Sequence, residues 1–187
     1  MAHTIEPAAS GRAKCRGCGR PIGKGELRLG ARLPNPFDEA NELTLWFHLR
    51  CGAYTRPEPY LAAAAETKEI LVDRDGLDAA ARLGLEHERL PRLRGVERAA
   101  TGRSSCRHCR EAIEKNAWRI ALTFYDEEEG RFSPGGFLHV KCARDYFGTA
   151  ELRDRLEYFT PELERTELDA ILSELSSLVA GDSQKRG

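Results

Sequence analysis

The chain has 187 residues, of which 32% are charged, and its formal net charge is −1 at pH 7. No run approaches the roughly 18 consecutive apolar residues of a membrane-spanning helix, which argues against a helical membrane protein. The length allows one or two small domains, each with a small core.

The first ten residues, 1–10, show no apolar periodicity, and we expect them to form a flexible tail that includes His3. No apolar signal region follows Met1, which favours a reducing compartment over secretion. We therefore expect the protein in the cytoplasm or nucleoid if the source is bacterial, or in the nucleus if it is eukaryotic.

Residues 11–57 form the first predicted unit, and they carry two pairs of residues that commonly bind metals. Cys15-Arg-Gly-Cys18 opens the unit, and His48-Leu-Arg-Cys51 follows after 29 intervening residues. Between the pairs, 26–33 alternates apolar and polar side chains as a half-buried strand does, and 43–47 predicts a second strand.

Residues 58–101 are predicted to be a helical and basic linker. Two segments, 59–71 and 77–90, have apolar residues at helical spacing, and a proline follows the second. The segment 92–103 is predicted to be an extended basic connector.

The second unit, 102–148, repeats the first. Cys106-x-x-Cys109 and His139-x-x-Cys142 are again separated by 29 residues, and each ligand position lies 91 residues after its counterpart (106 − 15). This constant offset indicates an internal duplication. The two sets together use all six cysteines of the chain.

The C-terminal residues 149–181 are predicted to be helical, and 182–187 to be a second flexible tail. Thr160-Pro161 has the chemistry of a helix start, with an N-cap followed by proline at the first helical position. An apolar stripe follows at helical spacing, formed by Leu168, Ile171, Leu172, Leu175, Leu178 and Val179. The stripe serves either packing within the chain or a dimer interface.

Each Cys₃His set fits one tetrahedral zinc ion, and we expect two per chain. The alternatives are three disulfides, which would leave the two histidines unexplained, reduced cysteines that bind no metal, and an iron–sulfur cluster, for which this long spacing is unusual. With four protein ligands, such a site has no open coordination position, so the expected role of the metal is structural.

The small net charge conceals a strong segregation of charge. Residues 11–32 hold seven basic side chains and one acid, and residues 89–110 hold seven arginines and one acid. These two blocks predict either local anion-binding faces or ordinary solvated surface.

The repeated unit resembles the PARP-type zinc finger, a module that detects DNA strand breaks. The likeness rests on Ser10-Gly-Arg-Ala-x-Cys15-x-x-Cys18, Leu27-Arg-Leu29 and Trp46-Phe-His48-x-x-Cys51, and on the matching residues of 102–148. It implies two small α+β zinc-stabilised domains in tandem, each with a short antiparallel sheet and helices.

The resemblance also implies which side chains contact DNA. An arginine before the first cysteine and another on the first strand grip the backbone in this family, which corresponds to Arg12 and Arg28, then Arg103 and Arg119. An apolar side chain between the strands stacks on exposed base pairs, and Phe37 matches that position.

The chain also departs from the family. No transferase, ligase or phosphatase domain follows the fingers, so we expect no enzymatic activity. The second unit carries four consecutive acids, Asp126–Glu129, where the first unit carries Phe37 in the proline-stiffened loop 34–38. Carboxylates facing phosphates would be repulsive, so this loop is expected to point away from DNA or to serve another role.

The sequence is compatible with two functions. One is a zinc-dependent protein that recognises nicks, gaps or ends in DNA, with broken DNA and a DNA-repair enzyme as partners. The other is a zinc-stabilised protein-interaction module whose basic faces bind an acidic partner. A salt-sensitive preference for nicked over intact duplex would separate them.

Overall fold

The computed structural model describes residues 2–35, 41–126 and 131–176. These residues form two three-stranded sheets and six α-helices. They belong to two compact units, the first within Met1–Pro91 and Tyr125–Phe132, the second within Arg92–Phe124 and Ser133–Gly187. The prediction of two small α+β domains, each with its own Cys/His cluster, is confirmed.

The sheet of unit 1 consists of β1 (Thr4–Pro7), β2 (Leu27–Pro34) and β3 (Glu42–His48), in that spatial order. Both strand pairs are antiparallel, and Ile5, Leu29 and Phe47 lie opposite one another across the three strands. All three side chains are buried. Their shared face forms the sheet side of the unit 1 core, as period-2 alternation predicts.

Strand β1 corrects the prediction that residues 1–10 are a flexible tail. Thr4–Pro7 is too short to show an alternating pattern, but it pairs in register with β2 and buries Ile5 and, just beyond the strand, Ala8. Without β1, the edge of β2 would present unpaired backbone groups to solvent. Tertiary pairing therefore orders a segment whose own sequence carries no strand signal.

Three helices cover unit 1: α1 (Leu49–Thr55), α2 (Pro57–Glu66) and α3 (Arg74–Glu86). Helix α1 starts directly after β3, which places Cys51 on its first turn, close to His48. Proline at the first position of α2 suits that position, because the first helical N–H has no partner within the helix. A short 3-10 turn, Leu90–Arg92, follows α3.

The second sheet consists of β4 (Leu93–Arg98), β5 (Trp118–Asp126) and β6 (Arg131–His139), in that order. Strand β4 pairs antiparallel with β5 and places Val96 opposite Ile120, and both side chains are buried. Residues 58–101 are thus divided between the two units. Helices α2 and α3 belong to unit 1, and the predicted basic connector contains a strand of unit 2.

The helical part of unit 2 contains a 3-10 turn, Val140–Cys142, followed by α4 (Ala143–Phe147), α5 (Arg153–Phe159) and α6 (Arg165–Ser176). The interpretation of Thr160 as a helix N-cap is wrong. The Thr160 hydroxyl accepts a hydrogen bond from the backbone N–H of Val96 at 3.0 Å, and α6 begins only at Arg165. This bond occupies the group that would have capped a helix.

The apolar stripe of the C-terminal region lies partly on α6. Leu168, Ile171 and Leu175 are buried there, which agrees with packing within the chain. Leu178 and Val179 lie outside the described residues. Within the part of the chain that the structure describes, no helix is both long and apolar enough to cross a membrane.

The duplication extends further toward the N-terminus than the zinc ligands indicate. Glu6 lies opposite Arg28 in the first sheet, and Glu97 lies opposite Arg119 in the second, again 91 residues apart (97 − 6). The repeated structure therefore begins with β1 in unit 1 and with the equivalent part of β4 in unit 2.

Candidate zinc centres and the basic zinc turns

Two groups of potential metal ligands occur among the described residues, and they are the two predicted Cys₃His sets. They consist of Cys15, Cys18, His48 and Cys51 in unit 1, and of Cys106, Cys109, His139 and Cys142 in unit 2. In each group the ligand atoms lie within 4.8 Å of one another. A zinc tetrahedron with bonds of about 2.3 Å to sulfur and 2.0 Å to nitrogen has edges of roughly 3.5–3.8 Å, so each group fits the ion.

The histidine of unit 1 is oriented with Nδ1 toward the cysteines. His48 Nδ1 lies 3.3 Å from Cys18 Sγ and 3.9 Å from Cys51 Sγ. On the other side of the ring, Nε2 lies 3.1 Å from the Pro21 carbonyl, which can only accept a hydrogen bond. The proton therefore lies on Nε2, and the Nδ1 lone pair is directed at the metal position.

Unit 2 repeats this arrangement. His139 Nδ1 lies 3.4 Å from Cys109 Sγ, and Nε2 lies 3.1 Å from the Ala112 carbonyl. The backbone N–H of His139 donates to Cys106 Sγ at 3.4 Å, and that of His48 donates to Cys15 Sγ at 3.3 Å. Such N–H···S bonds stabilise a thiolate ligand.

The first two cysteines of each set lie on a tight turn, which we call the zinc turn (15–20 in unit 1, 106–111 in unit 2). In unit 1, the N–H of Gly19 donates to the Cys15 carbonyl at 2.8 Å, with a φ of +74° that suits glycine. In unit 2, Arg110 occupies the same left-handed conformation with a φ of +70°. That conformation costs a non-glycine residue about 1 kcal/mol.

The thiol pKa is shifted in opposite directions at one ligand of each site. A hydrogen bond from Cys51 lowers the pKa of the Cys15 thiol to about 5. Burial, together with the charge of Cys106, raises the pKa of the Cys142 thiol to about 12. A metal ion must displace the proton from such a thiol, so acid disfavours zinc binding.

The prediction of two structural zinc ions is therefore confirmed by the donor sets. Three thiolates and one imidazole suit Zn²⁺ in ligand type and number, and the short pairs with a folded-back segment bring them together. When bound, zinc would supply cross-links between the zinc turn, the last strand and the following helical turn. For domains this small, structural zinc contributes roughly 10–16 kcal/mol of folding free energy.

A second duplicated cluster surrounds the arginine on the strand after each zinc turn. The Arg28 guanidinium lies 3.5 Å from the centre of the Trp46 ring, and its Nη2 donates to Glu6 at 2.7 Å. We call Glu6, Arg28 and Trp46 the arginine clamp of unit 1. The ring and the carboxylate together fix the plane of the guanidinium.

The arginine clamp of unit 2 consists of Glu97, Arg119 and Phe137. Arg119 lies 3.4 Å from the Phe137 ring centre and donates from Nε and Nη2 to Glu97. Its Nη1 also donates to Ser104 at 2.9 Å. Sequence reasoning missed both carboxylates, although extending the 91-residue offset toward the N-terminus would have paired them.

The predicted DNA contacts differ in their exposure. Arg12 and Arg103, which precede the zinc turns, are exposed. The side chains of Arg28 and Arg119 are only 12% and 11% exposed, because the arginine clamps enclose them. Phe37 lies outside the described residues.

Further basic side chains surround each zinc turn. In unit 1 the exposed ones are Arg12, Lys14, Arg16, Arg20 and Lys24. In unit 2 they are Arg103, Arg107, Arg110 and Lys115. The predicted acidic loop, Asp126–Glu129, is described only at Asp126, at the end of β5. Each unit thus presents an excess of exposed cations around a turn that zinc would hold rigid, although unit 2 also exposes the acids Glu111 and Glu114 there.

Comparison with known proteins identifies similar sequences. No family model matches the chain. The chain is 30% identical over 175 residues to poly [ADP-ribose] polymerase of Drosophila melanogaster, a match that covers 85% of this chain and 17% of that protein. It is 28% identical over 158 residues to poly [ADP-ribose] polymerase of Sarcophaga peregrina, covering 74% of this chain and 16% of the relative.

A plant protein matches nearly the whole chain. Poly [ADP-ribose] polymerase 1 of Oryza sativa subsp. japonica is 26% identical over 203 residues, covering 97% of this chain and 18% of the relative. The chain therefore spans less than a fifth of the length of the relatives that it matches. The similarity is to part of proteins named for an enzymatic activity.

Proposed function

We propose that this chain is a zinc-dependent DNA-binding module built from two PARP-type zinc fingers, and that it recognises strand breaks. The observation that carries the proposal is the same in both units. Each has a Cys₃His site whose first two cysteines lie on the zinc turn, and exposed arginines and lysines surround that turn. The similarity to proteins named poly [ADP-ribose] polymerase supports it.

The exposed cations supply the first part of this function. Arginines bind phosphate oxygens through charge-assisted hydrogen bonds, and a zinc-stabilised turn presents them with little loss of conformational entropy. Arg12 and Arg103 are exposed in equivalent positions and are the proposed backbone contacts.

The arginine clamps supply the second part. Each Nη group of a guanidinium carries two hydrogens, so Arg28 can donate to Glu6 with one and to a phosphate with another. Stacking on Trp46 holds the side chain in one rotamer. In this proposal Arg119 acts in the same way, and Glu6 and Glu97 position the arginines without contacting DNA themselves.

Recognition of a break requires a group that reads exposed base faces. Phe37 is the proposed stacking residue, because an aromatic side chain on an exposed base pair contributes roughly 1–3 kcal/mol and intact duplex offers no such face. Unit 1 would then discriminate breaks, and unit 2 would add affinity for the backbone. In this proposal the chain binds DNA and has no catalytic role of its own.

A protein-interaction role is the second candidate, and one observation favours it. Ile70 and Val72, in the turn between α2 and α3, are 89% and 85% exposed. The turn is held by the Arg50–Asp73 ion pair at 2.9 Å and by the donation from Glu69 N–H to Thr67 Oγ1 at 3.2 Å. Apolar side chains on a braced turn are suited to contact with another protein.

Binding titrations of the full chain with nicked, gapped, blunt-ended and intact duplexes test the proposal. We expect tighter binding to interrupted duplexes, and log K falling with log[salt] at a slope of about −3.6 if four phosphates are contacted. Equal affinity for nicked and intact DNA would reject break recognition. Absence of salt-sensitive binding to any duplex would favour the protein-interaction role.

A further inference from the structure

The two zinc centres have the same ligands but neighbours of opposite charge. In unit 1, Arg20 Nε donates to Cys18 Sγ at 3.5 Å. The residue 91 positions later is Glu111, whose Oε2 lies 3.9 Å from Cys109 Sγ. A cation therefore contacts the half-exposed sulfur of the first centre, and an anion lies beside the corresponding sulfur of the second.

The sign of these neighbours matters because the loaded centre is itself charged. Three thiolates and one Zn²⁺ leave a net charge of about −1 on the centre. A guanidinium that donates to a ligating thiolate stabilises this charge, whereas a carboxylate close to the sulfur destabilises it. Arg20 and Glu111 are both exposed, so solvent weakens their electrostatic effects. Because Arg20 strengthens zinc binding in unit 1 and Glu111 weakens it in unit 2, both effects increase the difference in zinc affinity between the two centres.

The ligating histidines differ in the same direction. His48 Nε2 lies 3.7 Å from Glu26 Oε1, in addition to its contact with the Pro21 carbonyl. A carboxylate behind a ligating imidazole makes it a stronger donor. Residue 117, equivalent to Glu26, is an alanine, so unit 2 has no carboxylate at this position.

Packing over the last cysteine also differs. A Cβ added to Gly17 would lie 2.7 Å from Cys51 Cβ, so only glycine allows the first zinc turn to approach Cys51 this closely. Unit 2 carries His108 at the equivalent position. Cys51 is fully buried, whereas Cys142 is 8% exposed. The second centre is therefore more open to solvent and to competing ligands.

From these differences we infer that the zinc ion of unit 2 is exchangeable under conditions in which unit 1 keeps its ion. Changes in the groups around metal ligands typically alter affinity about 10–100-fold, so unit 2 should empty at free zinc at least about tenfold higher than unit 1. Since each unit depends on its ion for folding, the folding of unit 2 would depend on the free zinc concentration. The inference does not depend on DNA binding.

Differential cysteine labelling of the zinc-loaded full chain tests this. Free zinc is set with an uncharged pyridyl chelator, because an anionic chelator would itself be attracted by Arg20 and repelled by Glu111. An uncharged maleimide then labels the released thiols, and mass spectrometry of the peptides separates Cys15, Cys18 and Cys51 from Cys106, Cys109 and Cys142. We expect the unit 2 cysteines to be half-labelled at a free zinc concentration at least about tenfold higher than the concentration at which the unit 1 cysteines are half-labelled.

Charge exchange between the two positions supplies matched variants. Arg20→Glu should raise the free zinc at which unit 1 empties, Glu111→Arg should lower it for unit 2, and the double variant should bring the centres together or reverse their order. Arg20→Gln and Glu111→Gln should give smaller shifts in the same directions. Zinc content at saturating metal verifies that each variant loads two ions.

Three results would overturn the inference. They are simultaneous labelling of both units in the wild-type chain, earlier labelling of unit 1, and an order of labelling that the double exchange leaves unchanged. A chain that fails to bind DNA would reject the proposed function but would leave these outcomes unaffected.

Discussion

At the scale of single residues, the two arginine clamps are the least expected feature of this protein. Arg28 and Arg119 are charged side chains held almost out of solvent, each by one carboxylate and one aromatic ring. A buried charge is tolerated when it is paired and hydrogen-bonded. The carboxylates are therefore structural residues, although they lie on short strands 22 residues before the arginines that they contact.

Replacing Glu6 or Glu97 by glutamine should lower the free energy of unfolding, and the loss should be larger for the residue that accepts more hydrogen bonds. Glu97 accepts two hydrogen bonds from Arg119, and Glu6 accepts one from Arg28. We expect Glu97→Gln to cost about 1–2 kcal/mol and Glu6→Gln about 1 kcal/mol, after allowing for the exposure of the carboxylates.

Hydrogen exchange of the β5 and β2 amides, respectively, measures these losses. Glu42→Gln is the control, because its ion pair with Arg32 at 3.4 Å is exposed on both sides and should contribute less than about 0.5 kcal/mol. Equal effects of all three substitutions would contradict the clamp interpretation.

Gly52 illustrates a second constraint at this scale. A Cβ at Gly52 would lie 2.6 Å from Leu29 Cδ2, so the first turn of α1 can approach β2 only without a side chain. We expect Gly52→Ala to destabilise unit 1 by about 1–3 kcal/mol through overpacking, measured by urea denaturation. Gly11→Ala is the control, because the nearest atom to its added Cβ is 3.8 Å away.

At the scale of secondary-structure elements, each sheet depends on a short first strand. Strand β1 covers one edge of β2, and β4 covers the equivalent edge of β5. Ile5 and Val96 occupy equivalent positions in these strands, and both are buried. The strands therefore contribute to the core as well as to backbone pairing.

Truncation of either side chain should weaken its own unit. Deleting buried methyl and methylene groups costs about 2–4 kcal/mol for Ile5→Ala and roughly 1–3 kcal/mol for Val96→Ala. Hydrogen exchange of the β2 and β5 amides would report the two losses separately. If Ile5→Ala left the β2 amides as protected as in the wild type, β1 would not be an integral strand of unit 1.

The proposed phosphate contacts Arg12 and Arg103 lie on the segments that lead into the zinc turns. Arg12→Ala and Arg103→Ala should each reduce the salt slope of DNA binding by about one unit, because each removes about one phosphate contact. Arg82→Ala on α3 is the control, since this side chain is 71% exposed but lies on a helix outside the basic surface. Unchanged slopes in both Arg12→Ala and Arg103→Ala would place the binding surface elsewhere.

At the scale of the whole molecule, a single chain contains two zinc-stabilised units. Each set of ligands lies entirely within one unit, so metal binding and folding are coupled within that unit. Loss of one site should therefore not unfold the other.

Replacement of one ligand tests this independence. Cys51→Ser should reduce the zinc content from two ions per chain to about one and should unfold unit 1, while the amides of unit 2 keep their dispersion and protection. Metal analysis with ¹⁵N-resolved spectra of the full chain provides the measurement. Cys142→Ser is the matched variant, with the opposite pattern expected. Collapse of both units in either variant would show that they fold as one.

The sequence alone determined the metal chemistry of this protein. Metal ligands on tight turns have local spacing constraints, so Cys-x-x-Cys and His-x-x-Cys can be recognised without knowledge of the fold. The 91-residue offset then identified the second unit, and strand β2 followed from the alternation of apolar and polar side chains in 26–33.

Only the tertiary structure decided the extent of each unit and the surroundings of each centre. Residues 4–7 and 93–98 become strands because β2 and β5 offer them backbone partners, a cause that no pattern within those segments reveals. Likewise, Glu6 meets Arg28, and Glu111 approaches Cys109, only after folding brings their side chains together. The local spacing of cysteines and histidines in the sequence identifies the metal ligands, whereas the charge around a ligand depends on side chains that the fold places beside it.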